Sequence, residues 1–271
     1  GVSAAFLFAA QMVNFPILGG TSGHLLGAVL VAVLLGPAAA ILVVTSVLLL
    51  QCLLFADGGL LALGANVWNM AIVGCGIGNL AYVTLRRVTG GERGRIFAVA
   101  VAAWISVVAS ATACALELAA SGLAPVRLVV PAMSLVHMLI GAGEAVITGL
   151  VIAWVARARP ELLEPRAPRS TGFVLPALGL SLGVAALLAP FASPWPDGLE
   201  RVAERLHFGL RAHEASAPLA EYRLPGVESP LVSTAVAAVL GTVVMFALAF
   251  LLARWLVPVR PRREPSSTPL Q

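Results

Sequence analysis

Long apolar runs alternate with short polar or glycine- and proline-rich breaks along most of the chain. A helix needs about 20 residues to cross the roughly 30 Å hydrocarbon core of a bilayer. The pattern therefore predicts an all-α, polytopic integral membrane protein with about eight transmembrane helices. The predicted apolar segments are residues 1–14, 24–35, 38–55, 66–85, 96–120, 129–156, 173–191 and 231–257.

The second apolar segment is too short to cross a bilayer. It extends from the glycine-rich stretch Gly19–Gly23 to the break at Gly36 and Pro37. About twelve helical residues cover only roughly 18 Å, which is well short of the hydrocarbon core. We therefore expect the outer end of this segment, at His24, to lie below the membrane surface.

The arginines predict the orientation of the chain in the membrane. They form clusters after the fourth, sixth and eighth apolar segments. Of the alternate loops, the one near Asp57 and the one at 121–128 carry almost no positive charge, and the long loop at 192–230 has six acidic residues against four arginines. By the positive-inside rule the clusters are cytoplasmic, so the carboxyl terminus is cytoplasmic and the Gly19–Gly23 stretch is external. The clusters are Arg86, Arg87, Arg93 and Arg95; Arg157, Arg159, Arg166 and Arg169; and Arg254, Arg260, Arg262 and Arg263.

The breaks divide the chain into two predicted modules. Residues 1–156 form a six-helix module, and a cytoplasmic linker rich in proline and arginine covers 157–172. Residues 173–257 form a module of two helices around an external loop at 192–230, and 258–271 form a disordered tail. Residue 1 is Gly and lacks a basic flank, so we expect that native residues, including one further helix, precede it.

Composition narrows the possible functions further. Hydrophobic residues make up 59% of the 271 residues and charged residues only 11%, against about 25% in soluble domains. This excludes a soluble enzyme, a nucleic-acid-binding protein and a disordered chain. The sequence holds no Walker A motif, no HExxH motif and no GxSxG motif in a suitable context, so we predict that the protein is not an enzyme. The three cysteines lie in apolar runs without CxxC spacing and are interpreted as buried thiols.

The glycine-rich loop, Asn14–Gly27, is the richest polar segment at membrane depth. Irregular backbone is tolerated there only where protein or a polar cavity satisfies its hydrogen bonds. His24 stands at the start of the predicted second helix, and Thr21 and Ser22 precede it. A neutral imidazole at this position is a candidate metal ligand, with Thr21 and Ser22 as supporting groups. The alternative is a histidine that hydrogen-bonds to a loop carbonyl and seals an external turn.

Two further polar segments offer alternatives. Asp57 lies in a tight glycine turn, and Asn66 and Asn69 lie one helical turn apart, so these three side chains either cap a turn and a helix or help to orient the metal ligand. His137 and Glu144 are two helical turns apart on one face of the sixth segment. They form either an intramembrane polar pair with a structural role or a proton or ion site.

Two other polar positions have simpler interpretations. Glu117 is interpreted as a side chain that snorkels from the outer end of its helix. His207 and His213, in the predicted external loop, either collect metal ions or are solvated loop residues.

Three uncommon blocks of sequence resemble the CbiM/NikM family of substrate-capture components of energy-coupling-factor transporters for cobalt and nickel. They occur in the family's order within residues 1–156. The motif PDGLE at Pro196–Glu200, with the following helix, is similar to the PDGLE-type, NikN-like small component. The blocks are NFPILGGTSGHLLGAVLVAVLLGP, LLFADGGLLALGANVWNMAIVG and HMLIGAGEAVITGLV.

The resemblance implies a function and a set of partners. The protein would capture Co²⁺ or Ni²⁺ from the external side of a bacterial plasma membrane, without a resident cofactor. His24 matches the family's loop ligand, and the other ligands would be the terminal amine and a second-position histidine of a native Met-His start. A transmembrane coupling protein and two cytoplasmic ATPase subunits would supply the energy. The residues do not decide between cobalt and nickel.

Other classes of function remain open at this stage. A stand-alone ion-coupled carrier would use His137 and Glu144, and its uptake would depend on a proton gradient. A protein of assembly or sensing would bind metal without transporting it. Metal uptake that depends on ATPase partners would favour the metal-capture component over the ion-coupled carrier. Metal binding without uptake in a complete system would favour the assembly or sensing protein.

Overall fold

A computed structural model describes residues 1–164, 171–209 and 217–256. The helices are α1 (Val2–Gln11), α2 (Ala28–Leu35), α3 (Pro37–Phe55), α4 (Leu63–Val88), α5 (Gly91–Ala120), α6 (Val126–Ala158), α7 (Val174–Leu187), α8 (Gly198–Leu206) and α9 (Pro230–Leu256). The strands are β1 (Phe15–Ile17) and β2 (Thr21–Gly23).

The predicted all-α membrane architecture is confirmed. Each of the eight apolar segments contains a helix, and within the described ranges six helical segments are long and apolar enough to cross a bilayer. Helices α1 and α2 are shorter, with 10 and 8 residues. Predicted residues Arg166, Arg169, Arg260, Arg262, Arg263 and His213, and the tail 258–271, lie outside the described residues.

Helix α2 begins later than the sequence predicts. His24 does not start it, because the backbone at Gly27 is left-handed (φ +69°) and the first helical residue is Ala28. Eight residues give a helix of only about 12 Å. His24 therefore lies in irregular chain before the helix, and that part of the prediction was wrong.

A short hairpin, which the sequence pattern did not predict, precedes His24. Strands β1 and β2 pair antiparallel, with Pro16 opposite Ser22. The three-residue connection contains Gly19 (φ +91°) and Gly20 (φ +72°), and this left-handed backbone favours glycine.

After a first α-helical turn at Leu63–Asn66, α4 is wound as a π-helix over Val67–Val73. A π-helix places more residues in each turn than an α-helix does, so residues three apart no longer share a face. The expectation that Asn66 and Asn69 face one site rests on α-helical spacing and fails here for that reason.

The helices of the second module pack directly against the first module. Helix α1 contacts both α7 and α9. Gly241 of α9 lies so close to Phe8 that a Cβ atom there would be 2.4 Å from the Phe8 ring, so only glycine permits this approach. Phe8 in turn contacts the ring of Phe55, and Tyr222 stacks on Phe55 with centroids 4.6 Å apart. The packed helices hold the loops of both modules together at one end of the bundle.

The two ends of the bundle differ in character. One cavity is lined by Gly90, by the first residues of α5 as far as Arg93, and by Arg157 at the end of α6, which places Arg93 and Arg157 at one end of the bundle. The hairpin, Asp57 and α8 lie at the other end, where Tyr222 bonds to Asp57 and Ser193 bonds to Asn14. The glycine-rich loop thus belongs to the end that is poor in clustered arginine.

Candidate metal site

The site is built around His24, which follows strand β2 directly. His24 is half-buried, while its neighbours from Thr21 to Gly27 are buried. Its Nδ1 lies 3.3 Å from the carbonyl oxygen of Leu25. A hydrogen on Nδ1 that donates to this carbonyl leaves the lone pair of Nε2 available for a metal ion.

Glu144 of α6 holds the backbone immediately after His24. The amide of Leu26 donates to Oε2 at 2.7 Å, and the amide of Gly27 donates to Oε1 at 2.8 Å. Successive amides can converge on one anion because the left-handed backbone at Gly27 turns them to the same side. The Glu144 side chain is only 1% exposed, and hydrogen bonds to a charged acceptor are strong in such surroundings.

A second buried contact holds the same backbone from α1. The side-chain amide of Gln11 donates to the carbonyl oxygen of Leu26 at 3.1 Å. Gln51 of α3 donates to the side-chain oxygen of Gln11 at 3.0 Å and so completes its hydrogen bonding. Side chains from α1, α3 and α6 therefore hold the backbone between His24 and the start of α2.

His137 and Glu144 lie on one helix, but the predicted polar pair is not formed. The Nδ1 of His137 lies 2.8 Å from the carbonyl oxygen of Met133, whereas Glu144 accepts from the glycine-rich loop. Among the described residues no hydrogen bond joins the two. Both are electrostatic neighbours of His24, which places all three around one region.

Thr21 and Ser22 bond to the second module, and within the described chain neither bonds to His24. The Thr21 hydroxyl donates to the carbonyl oxygen of Pro196 at 2.9 Å, and the Ser22 hydroxyl donates to that of Trp195 at 2.7 Å. Their predicted contribution to the site is therefore indirect, through the strand that leads to His24.

The other predicted supporting residues have partners away from His24. Asp57 accepts a hydrogen bond from the Tyr222 hydroxyl, and burial, followed by the charge of Asp57, raises the pKa of Tyr222 and keeps it protonated. The Asn66 amide packs on Gly58 in the preceding turn. Asn69 donates to Glu117 at 2.8 Å, a partner that the sequence did not predict, and the interpretation of Glu117 as a snorkelling side chain stays a prediction.

The motif at Pro196–Glu200 caps α8 and sits against the first module. Asp197 accepts from the amide of Glu200 at 2.8 Å, and Glu200 accepts from the amide of Asp197 at 2.9 Å, which is a complete capping box. Gly198 is buried against His137, and a Cβ there would lie 2.6 Å from Cε1 of the ring. Helix α8 thus begins directly beside the residues that surround His24.

The described side chains offer few metal ligands. Among them no group of three or more His, Cys, Asp or Glu residues is placed to hold a metal ion. His24 can supply one nitrogen, beside a backbone that Glu144 holds in place.

Comparison with known proteins identifies the family. Residues 1–162 match the model of CbiM, described as the cobalt uptake substrate-specific transmembrane region. The chain belongs to the CbiM family. Residues 171–257 match the PDGLE domain, named for the motif at Pro196–Glu200. The protein is thus a multi-pass membrane protein of a metal-transport family, with a CbiM region and a PDGLE domain in one chain.

Similar proteins include fused transporters and separate CbiM proteins. A putative fused nickel transport protein NikMN of Archaeoglobus fulgidus is 38% identical over 94% of this chain and 85% of its own length. A cobalt transport protein CbiM of Kyrpidia tusciae is 33% identical over 60% of this chain and 67% of its own. The crystal structure of a transition metal transporter, 36% identical, matches with a TM-score of 0.53 over 59% of this chain and 75% of that one.

Sequence reasoning missed several residues of the site in this CbiM protein. Gln11 and Gln51 are polar side chains inside apolar helices, which is itself a sign of a buried network. The capping role of Asp197 and Glu200 follows from their three-residue spacing. The contact between Gly198 and His137 has no local signal, because the two residues lie in different modules.

Proposed function

We propose that the protein is the substrate-specific membrane component of an energy-coupling-factor ABC transporter that imports Co²⁺ or Ni²⁺. In this proposal His24 binds the metal on the external side, and partner subunits hydrolyse ATP. Membership of the CbiM family, and similarity to nickel and cobalt transport proteins, support Co²⁺ or Ni²⁺ as the transported metal. The choice of His24 as the metal ligand rests on one observation: buried side chains hold the backbone next to it by hydrogen bonds.

The geometry beside His24 suits a ligand more than a simple turn. Glu144 and Gln11 together satisfy two amides and one carbonyl of Leu26 and Gly27, all within buried surroundings. A turn that only sealed the surface would not need a buried carboxylate, which is costly to keep in a membrane protein. Such supporting hydrogen bonds are typical of ligands whose orientation must be held.

The ligand chemistry fits late divalent transition metals. Imidazole nitrogen suits Ni²⁺ and Co²⁺, and nitrogen-rich, square-planar coordination favours Ni²⁺. In the proposed site the remaining nitrogens come from a native Met-His amino terminus, as the family resemblance implies. The metal is cargo in this scheme, so its affinity must permit release toward the coupling protein.

The distribution of charge supports the proposed orientation. Arg86 and Arg87 end α4, and Arg93 and Arg157 lie at the same end of the bundle. By the positive-inside rule this end faces the cytoplasm of a bacterial cell, where the ATPase subunits and the carboxyl terminus would lie. The glycine-rich loop then faces outward, as capture of an external metal requires.

The test is the metal content of the purified protein, carrying a Met-His amino terminus, measured by elemental mass spectrometry. We expect about one equivalent of nickel or cobalt, lost in His24→Ala and retained in His207→Asn. His207 is a suitable control because it is a histidine in the PDGLE domain whose left-handed backbone Asn tolerates. Metal that persists in His24→Ala would overturn the proposed site.

A second measurement separates the proposal from an ion-coupled carrier. Uptake should require the ATPase partners and persist when the proton gradient is collapsed. Uptake without those partners, abolished by Glu144→Gln and by loss of the gradient, would instead support a carrier that uses His137 and Glu144. The engagement of Glu144 with two backbone amides supports the former outcome.

A further inference from the structure

The PDGLE motif has a docking surface on the CbiM region. The carbonyl oxygen of Pro196 accepts from the amide of Ser22 at 2.9 Å and from the hydroxyl of Thr21 at 2.9 Å. The carbonyl oxygen of Trp195 accepts from the hydroxyl of Ser22 at 2.7 Å. The segment therefore bonds to strand β2 on the amino-terminal side of His24.

Contacts on both sides of the motif extend this docking. Before it, the amide of Ser193 donates to the carbonyl oxygen of Asn14 at 2.8 Å. After it, the guanidinium of Arg201 donates to the carbonyl oxygen of Gly19 at 3.2 Å. The motif thus spans the hairpin from its start to its connection.

The third residue of the motif is selected by its fit to His137. A Cβ on Gly198 would lie 2.6 Å from Cε1 and 2.9 Å from Nε2 of His137, and 2.8 Å from Cδ1 of Ile140. Gly198 does not have a left-handed backbone, so glycine is needed here for space and not for conformation. Asp197 and Glu200 close the capping box, which orients α8 for this contact.

We propose that Pro196–Glu200 is a latch, which docks on strand β2 and on His137 and controls access to the glycine-rich loop. Thr21 and Ser22, which donate to the latch and its neighbour Trp195, are 3% and 0% exposed. The latch bonds mainly through backbone carbonyls, whose hydrogen bonds contribute modestly in the presence of water, so it can open. Control of metal entry by the latch rests on the proposed function, whereas the docking itself does not.

The test measures the accessibility of a thiol beneath the latch. In a chain whose three cysteines are replaced by alanine, Ser22→Cys is treated with a membrane-impermeant maleimide. Ser229→Cys serves as the exposed reference, because Ser229 is exposed and lies in the loop of the PDGLE domain that also contains the latch. We expect Ser22→Cys to react at least about tenfold more slowly, since a tenfold ratio needs only about 1.4 kcal/mol of docking.

Gly198→Ala should undock the latch and raise the labelling rate of Ser22→Cys about tenfold. A tenfold change corresponds to about 1.4 kcal/mol, and the cost of overpacking is commonly about 1–3 kcal/mol. Gly183→Ala is the matched control, since no described atom lies within 4 Å of a Cβ there. Combining Gly198→Ala with His137→Ala removes the two close ring atoms of His137 but leaves the contact with Cδ1 of Ile140, so it should restore slow labelling in part. This restoration distinguishes a specific clash from failure to fold.

The outcomes separate the latch from the proposed metal site. Labelling of Ser22→Cys as fast as Ser229→Cys, or a rate unchanged by Gly198→Ala, would overturn the docking. The labelling needs no metal, so it stands even if His24→Ala leaves metal binding intact. If labelling changes as expected but Gly198→Ala takes up Ni²⁺ and Co²⁺ at the parent rate, control of metal access is overturned.

Discussion

In the described part of the chain, two sets of contacts hold the glycine-rich loop, and they differ in depth and in chemistry. The inner anchor, Glu144 and Gln11, belongs to the CbiM region and is buried among helices. The outer anchor, the carbonyl groups of Trp195 and Pro196, belongs to the PDGLE domain and lies near the end of the bundle. One anchor uses a buried charged acceptor, and the other uses neutral backbone carbonyls.

This difference indicates separate tasks for the two anchors. Loss of a partner inside the bundle leaves buried amides or carbonyls unsatisfied, with a high cost, whereas water can replace the partners of the outer anchor. The inner anchor therefore sets the position of His24 permanently. The outer anchor can form and release without loss of the fold, which suits a latch.

The inner anchor should fail most severely when its carboxylate is replaced. Glu144→Gln keeps the shape but presents an NH₂ group to one of the two backbone amides. We expect a loss of about 3 kcal/mol in stability, since each hydrogen bond to a charged acceptor contributes about 1.5–3 kcal/mol. Metal binding should weaken along with it. Thermal unfolding in detergent and metal titration check both effects.

Glu117→Gln is the matched control for this prediction. Glu117 accepts from a side-chain amide, that of Asn69, and two amides can bond to each other after a flip. Its effect should therefore be less than about 1 kcal/mol. Equal losses in the two variants would show that losing either of these helix carboxylates has the same cost, so that the bonds from Glu144 to the glycine-rich loop are not special.

Gln11→Leu should break the other half of the inner anchor with a smaller effect. The change removes the donor to the carbonyl oxygen of Leu26 and the acceptor for Gln51. We expect a loss of about 2 kcal/mol, because buried unsatisfied groups cost about 1–3 kcal/mol each. Adding Gln51→Leu should recover part of the loss, measured by thermal unfolding. If Gln11→Leu alone were as stable as the parent, Gln11 would not contribute to the inner anchor.

The contrast between the anchors also shows what the sequence could predict. The apolar segments were recognised because membrane-spanning helices need long apolar runs. The short second helix was expected from the glycine and proline that bound it, although its start at Ala28 is set by the left-handed backbone at Gly27. Glu144 was singled out as an intramembrane charge, but its partners, two backbone amides, carry no sequence signal.

The outer anchor was beyond local reasoning. Strands of three residues are too short to show an alternating pattern, so the hairpin was not predicted. The hydroxyls of Thr21 and Ser22 bond to residues more than 170 positions away. Asn66 and Asn69 were placed on one face by α-helical spacing, and the π-helix alters that spacing.

Ser22→Ala should weaken the outer anchor without harming the inner one. It removes one hydroxyl donor to Trp195 but keeps the backbone bond from Ser22 to Pro196. We expect a loss of about 1 kcal/mol, the usual contribution of a neutral hydrogen bond. Ser46→Ala is the control, because the Ser46 hydroxyl bonds within its own helix to Leu42. A loss equal to that of Glu144→Gln would contradict the distinction between the anchors.

Glu200→Gln should have the smallest effect and should act through pH. Burial raises the pKa of Glu200; the bond from the Asp197 amide opposes this, while the charges of Asp197, Asp57 and Glu204 raise it further. Because the folded pKa lies above the unfolded value, Glu200 favours docking of α8 at acidic pH. This contribution is lost as pH rises through the folded pKa.

The Gln side chain keeps an acceptor for the Asp197 amide and cannot ionise. At pH 7 the variant should therefore equal or slightly exceed the parent in stability, within about 0.5 kcal/mol, as for most surface changes. The stability of the parent relative to the variant should increase as pH falls toward about 4.3, the ordinary pKa of glutamate. Unfolding curves at several pH values check this. A variant that is less stable at pH 7, with a gap that narrows in acid, would show that the ionised carboxylate stabilises the capping box, and that the outer anchor depends on charge as the inner one does.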